Sequence, residues 1–277
     1  MQHLRLNLVS VAFSSQEPIK RALDAITLAI GPGEWVSLVG KNGSGKSTLA
    51  RVLAGLLPVS AGGIDRGWTA EDGTNRLSVR MVMQQPEGQL IGETVDEDVR
   101  FTLELAGVAW EAQEEPLVRA LNAIGLLEQR YARTAELSGG QQQLLAVAGC
   151  IAAESRLIVF DEATSMLDPL SRERLLECAL ALQERGVAIV WVTHAMEELA
   201  WSTRVVAMQE GKLVYDGDVR AFFYGDGSGE EPPCERLQLE PPFVVQTVFE
   251  LQRRGVTLPG QPLTWEALQA ELEVLLP

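Results

Sequence analysis

Trp35-Val36-Ser37-Leu38-Val39-Gly40-Lys41-Asn42-Gly43-Ser44-Gly45-Lys46-Ser47-Thr48 is the stretch that decides the fold. Its first five residues form a mostly apolar run of strand length, set off upstream by the turn signal Gly31-Pro32-Gly33. Ser47 to Leu57 then carries helical periodicity up to Pro58. Strand, glycine loop and helix in that order are the setting in which the pattern GxxxxGK[ST] cradles a phosphate. Glycines let backbone N–H groups wrap the oxygens, Lys46 adds a point charge, and Ser47 offers its hydroxyl to a magnesium ion. The positive end of the following helix dipole adds to the attraction. A glycine-rich turn with an incidental Lys is the competing reading, and the flanking strand and helix count against it.

Outward from this loop, residues 4 to 13 and 23 to 30 have strand-like spacing, and residues 61 to 79 look like turns around short strands. Arg80 to Met83 reads as another short strand. Residues 94 to 130 read as helical, with Val95, Val99 and Leu103 on one face and Leu117, Leu121 and Ile124 on another. Downstream come a helix from Gln141 to Ala153, a strand from Leu157 to Phe160, a helix around Ser171 to Gln183 and a strand from Val187 to Val192. Alternating strands and helices predict an α/β fold with a largely parallel sheet flanked by helices. The expected organisation is one large domain over residues 1–224, with a helical insertion around 90–150. A linker over 225–233, rich in Gly, Asp, Ser and Pro, leads to a small, mainly helical segment over 234–277.

Bulk properties narrow the function. The chain has 277 residues, 46% of them apolar, ample for a buried core. Its formal charge of -15 disfavours a nucleic-acid partner, whose affinity depends on clustered Lys and Arg. No stretch approaches the ~20 apolar residues that cross a bilayer, and Met1 to Asn7 lacks a basic segment followed by a long apolar one. A cytoplasmic location is therefore expected. Cys150, Cys178 and Cys234 form no CxxC pair, so they read as ordinary thiols rather than a disulfide framework or zinc site.

Leu157-Ile158-Val159-Phe160-Asp161-Glu162 ends an apolar strand in two carboxylates, and such a strand delivers them to the carboxyl edge of the sheet, where ligands bind. Asp161 is the candidate magnesium ligand and Glu162 the group that polarises an attacking water. A solvated strand end is the bland alternative, weakened by the phosphate loop upstream. Leu137-Ser138-Gly139-Gly140-Gln141 reads as a helix start capped by Ser138. A hydroxyl and bare N–H groups at such a start also make a second anion site. His194 follows a second buried strand and so reaches the same sheet edge, a placement His3 lacks.

The phosphate loop at 40 to 48, the LSGGQ run at 137 to 141 and the carboxylates at 161 and 162, in this order, resemble an ABC-transporter ATPase. The resemblance implies a P-loop NTPase fold of the ABC type with an added antiparallel β subdomain, and binding of ATP with Mg2+. It implies a head-to-tail dimer in which the phosphate loop of one subunit and Ser138, Gly139, Gly140 and Gln141 of the other sandwich each nucleotide. It also places Phe13 against adenine, Gln84 at the metal and catalytic centre, and Asp168 and His194 beside the phosphates. Phe13 can equally be core, Asp168 a helix cap before Pro169, and Gln84 competes with Gln85.

Met83 to Val99, the run Asp161 to Pro169 and the tail from Pro242 to Trp265 are similar to energy-coupling factor (ECF) ATPases, which serve vitamin and cobalt or nickel uptake. That resemblance implies a second ATPase subunit, identical or related, integral membrane transporter subunits, and a peripheral position on the cytoplasmic face of the cell membrane. It also gives residues 234–277 a dimerisation role. Leu90, Ile91, Val95 and Phe101 are candidates for an apolar groove that takes a membrane partner; core positions in the insertion are the alternative. Two departures stand out: Leu144 occupies a position where such proteins commonly carry Arg, and Gln85 one where Asn is usual. A soluble ABC protein acting on nucleic acid or the ribosome, and the ATPase of a conventional importer, are the rival readings.

Overall fold

The structure is a computed structural model that describes residues 3–13, 20–67 and 79–275. Strands β1 (Leu4–Phe13), β2 (Lys20–Ile30) and β4 (Ala61–Arg66) form an antiparallel sheet in the order β2-β1-β4. β3 (Trp35–Val39), β5 (Val79–Val82), β6 (Leu157–Asp161), β7 (Ala188–Val192), β8 (Arg204–Gln209) and β9 (Lys212–Gly217) make the main sheet. Its order is β5-β6-β7-β3-β8-β9, parallel throughout except for the β8–β9 hairpin.

The central strands read as unbroken apolar runs because both faces of the sheet are covered. Leu157 and Val159 join a core with α1 (Lys46–Leu53) and the antiparallel sheet. Ile158 and Phe160, pointing the other way with the period of two, join the helical side. There Trp191 lies between Trp35 and Phe160, with ring centroids 5.3 and 4.6 Å apart. Burying each such aromatic contributes roughly 1.5–3 kcal/mol.

The helical side contains α2 (Val95–Leu105), α3 (Glu114–Ala123), α4 (Gly139–Ala152) and α5 (Pro169–Glu184). The expected helical stretch 94–130 is thus two helices, because the chain turns through left-handed glycines at Gly107 and Gly125. The helix after the phosphate loop likewise ends at Leu53 rather than Leu57, where Gly55 adopts φ +75°. Helix α2 starts on a capping box between Thr94 and Glu97. Helix α4 is apolar on almost every side and runs through the middle of this layer. Leu144 is buried there in the apolar cluster, so its side chain serves packing.

Helices α6 (Val219–Tyr224), α7 (Pro233–Arg236), α8 (Phe243–Arg253) and α9 (Trp265–Leu275) complete the chain. Phe222, Phe223, Cys234, Val245 and Leu263 share one cluster with Val39, Val205 and Ala207 of the main sheet. The C-terminal segment therefore packs directly on the sheet through its first helices. All three thiols are free; burial pushes Cys150 and Cys234 up to about 12 and Cys178 to about 11, consistent with inert structural roles.

Beyond β7, the buried Glu198 carboxylate accepts hydrogen bonds from the Trp191 indole N–H at 2.8 Å and the Thr193 hydroxyl at 2.7 Å. Glu198→Ala strands both donors and should cost about 2–4 kcal/mol in urea unfolding, whereas Glu198→Gln, which keeps an acceptor, should cost about 1 kcal/mol.

Candidate active site

The register of the main sheet sets the site. Leu38 of β3 pairs with Val192 of β7, and Val192 with Asp161 of β6, so three strands end level with one another. From β3 the chain enters the phosphate loop. Gly40 needs φ +146°, and a Cβ there would sit 2.3 Å from the Met208 carbonyl oxygen. Gly45, at φ +108°, would push a Cβ to 2.7 Å from the Ala22 carbonyl oxygen. These close approaches, rather than flexibility, exclude other residues at both positions.

The Lys46 side chain is buried and donates from Nζ to the carbonyls of Gly40 at 2.8 Å and Lys41 at 3.2 Å. Burial holds its pKa below the ordinary lysine value, while Glu162 and Asp161 pull it back up. Ser47 donates from its hydroxyl to Asp161 Oδ1 at 3.1 Å. Burial raises the Asp161 carboxyl above its usual range, opposed first by that hydrogen bond. A hydroxyl and a carboxylate oxygen side by side suit a hard cation that takes few protein ligands and completes its shell with phosphate and water. No cluster of three or more His, Cys, Asp or Glu suited to a metal exists among the described residues.

Glu162 has the backbone of a strained residue, φ +52° without being glycine. Its N–H donates to the Val192 carbonyl at 3.0 Å, and its own carbonyl accepts from the Ser165 N–H and hydroxyl at 3.1 and 2.8 Å. This clamping holds the side chain where Oε1 meets His194 Nε2 at 2.9 Å. Gln84 Nε2 donates to the Ser165 hydroxyl at 3.2 Å, tying the end of β5 to the Glu162 turn. Gln143 of α4 supports that strand end by donating to the Met83 and Gln84 carbonyls. Gln85 is exposed.

An open cleft of about 870 Å³ lies over the phosphate loop and Glu162, lined by Phe13, Asn42, Gly43, Lys46, Ser47, Thr48 and Glu162, while Asp161, His194 and Gln84 lie outside its lining. Phe13 is 47% exposed at its mouth, which excludes the core alternative. The structure adds residues that the motifs did not supply, chiefly the turn Glu210-Gly211 between β8 and β9, also on the cleft wall. Both have left-handed φ, as a two-residue hairpin requires, and the Gly211 N–H donates to the Ser44 carbonyl at 2.9 Å. An acidic residue followed by Gly between two apolar runs was the available signal, although neither strand is among the sequence expectations.

Ser138, Gly139, Gly140 and Gln141 are not brought to this cleft. Ser138 caps α4 in a capping box with Gln141, and Ser138 and Gly139 face solvent. Gly140 is sterically required, since a Cβ would fall 2.2 Å from the Ser171 hydroxyl. Asp168 caps α5, accepting from the Leu170 and Ser171 N–H groups and from the Ser171 hydroxyl. Those bonds hold its carboxyl below the usual range. Ser171 thus joins the cap of α5 to the start of α4. His3 lies apart, beside Gly31.

The model of the family "ABC transporter" matches residues 23–165. The Energy-coupling factor transporter ATP-binding protein EcfA1 of Streptococcus sanguinis is 37% identical over 92% of this chain and 91% of its own length. Among solved structures, cbiO1 from Clostridium perfringens, part of the ABC transporter complex cbiONQ, has a TM-score of 0.70 at 25% identity, covering 89% of this chain and 99% of that one. An ATP-binding cassette solved as a dimer in a post-hydrolysis state, bound to ADP and Pi, has a TM-score of 0.66 at 25% identity, covering 79% of this chain and all of that one. With its phosphate loop, Asp161-Glu162 edge and helical insertion in one cassette, this chain belongs to the ABC transporter family, in the group of energy-coupling factor ATP-binding proteins.

Proposed function

We propose that ATP hydrolysis in this cassette drives an importer of the energy-coupling factor type, carrying a vitamin or a cobalt or nickel ion, through closure of a head-to-tail ATPase dimer. One observation carries this reading: a single chain gathers the Lys46 loop, Asp161, Glu162 and His194 at one sheet edge, while Ser138 and Gly139 sit exposed outside that cleft. A second copy or a related subunit, placed head to tail, supplies the missing helix start.

In this reading Gly40 to Thr48 and Lys46 hold the phosphates and Phe13 stacks on the adenine. Ser47, Asp161 and Gln84 would hold magnesium, which when bound neutralises charge on the terminal phosphates. Glu162 orients and deprotonates the attacking water, and His194, held on Glu162, contacts the terminal phosphate. From the opposite subunit Ser138, Gly139, Gly140 and Gln141 grip the same phosphate. Asp168, by capping α5 against Ser171 and so against Gly140, ties that grip to the loop that carries Glu162.

The membrane partner docks in the groove beside α2, where Ile91 is 64% exposed and Leu90, Phe101 and Leu105 line the wall. Val95, expected to line it as well, is fully buried in the core of the insertion and takes no part. None of the described helices is long and apolar enough to cross a membrane; the subunit sits peripherally at the cytoplasmic face of the cell membrane through its membrane partner. The exposed pair Phe243 and Trp265, with ring centroids 5.6 Å apart, is the candidate dimerisation surface of the tail.

Three substitutions test this assignment. Glu162→Gln should leave ATP binding intact and lower turnover about 10²-fold or more while trapping a nucleotide-bound dimer in size-exclusion chromatography; wild-type turnover would remove Glu162 from its role. Lys46→Ala should weaken ATP binding at least about tenfold by equilibrium titration. Ile91→Asp should abolish co-purification with the integral membrane subunits while ATP affinity stays within about twofold, because it places a charge in the apolar docking contact.

A further inference from the structure

The phosphate loop is held from two sides, and the second comes from the far end of the chain. On the first, the Gly211 N–H of the β8–β9 turn donates to the Ser44 carbonyl. On the other, Lys41 Nζ donates to Gln238 Oε1 at 2.7 Å, across 197 positions of sequence. A small cavity separates Gly40 to Ser44 from Leu237 and Leu239, which flank that glutamine.

Gln238 follows the end of α7 at φ +52°, the left-handed position of a helix C-cap, and its N–H donates to the Glu235 carbonyl at 2.8 Å. Leu237 and Leu239 are packed against the cluster of Phe222, Phe223 and Cys234, and the Leu239 N–H donates to the Cys234 carbonyl at 3.0 Å. With its neighbours anchored inward, Gln238 is left facing the loop. Lys41 is a point of leverage there: its carbonyl accepts from the Ser44 N–H at 3.1 Å and from Lys46 Nζ at 3.2 Å. A neutral amide as the partner also leaves the Lys41 charge uncancelled beside an anion site, in a chain whose formal charge is -15.

From this we infer that Gln238 is a positioning residue for nucleotide binding, which seats the phosphate loop through Lys41 and links docking of the C-terminal segment to nucleotide occupancy. The inference rests on the reading of Gly40 to Thr48 as the nucleotide site, which Lys46→Ala tests separately. Linkage is reciprocal: if the docked segment favours the nucleotide, bound nucleotide favours docking to the same degree.

The test is a double-mutant cycle in the full-length protein with Gln238→Ala and Lys41→Met, read by titration with a fluorescent ATP analogue and by steady-state ATPase kinetics. Gln238→Ala should weaken analogue binding and raise KM for ATP about threefold to tenfold, the worth of one charged, solvent-screened hydrogen bond, with kcat within about twofold. In the Lys41→Met background the same change should shift affinity less than about twofold. Amide hydrogen exchange over residues 237–240 should slow on adding a non-hydrolysable ATP analogue to the wild type and stay unchanged in Gln238→Ala. Equal losses in both backgrounds, or full affinity in Gln238→Ala while Lys46→Ala abolishes binding, overturn the inference and leave the nucleotide site standing. Full affinity in Lys46→Ala removes the site reading itself.

Discussion

Strands β3, β7 and β6 end level with one another because Leu38 pairs with Val192 and Val192 with Asp161 in an unbroken parallel ladder. Strand β7 lies between the other two, so the chain leaving each strand emerges on the same edge with β7's turn in the middle. The phosphate loop, Asp161 with Glu162, and His194 owe their proximity to that ladder. Its rigidity comes from burial on both faces, with Trp35, Trp191 and Phe160 stacked beneath and the antiparallel sheet above.

At this edge the molecule concentrates buried charge and a strained backbone in a few neighbouring residues. The Lys46 ammonium is buried with only carbonyls and distant carboxylates for company, and the Asp161 carboxylate is buried against a single hydroxyl. Glu162 holds a left-handed backbone. Strain of this kind costs on the order of 1–3 kcal/mol per residue and persists because β7 and the Ser165 turn fix Glu162 from both sides. Such preorganised charge is suited to phosphoryl transfer, in which positioning and neutralisation supply most of the catalysis.

The start of α4 follows a different logic. Its capping box leaves it self-sufficient as a helix terminus, yet Ser138 and Gly139 face solvent while Gly140 is pressed onto Ser171. The contact from Gly140 through Ser171 to Asp168 connects that surface to the loop after Glu162. A change felt at the start of α4 therefore has a short, packed route to the sheet edge. Lys41 and Gln238 provide a similar short route from the C-terminal segment to the phosphate loop.

Much of this was legible in the sequence. The phosphate loop, the strand ending in Asp161 and Glu162, and the capped start of α4 are local: backbone conformation, strand burial and capping depend on neighbours within a few residues. Where sequence reading fell short, one cause was local and the others were contacts between distant segments. Left-handed Gly107 and Gly125 divided the helical insertion, whereas Val95 proved to be core rather than groove and the β8–β9 turn joined the cleft through packing that only the fold brings about. The types of residue at the site, and the chemistry those types permit, were set by the sequence alone. Strand order, and with it the meeting of Glu162 with His194, the separation of Ser138 from its own chain's cleft, and the reach of Gln238 to Lys41, were decided only in the tertiary structure, because hydrogen-bonded pairing between strands and packing between layers join residues that no spacing along the chain brings together.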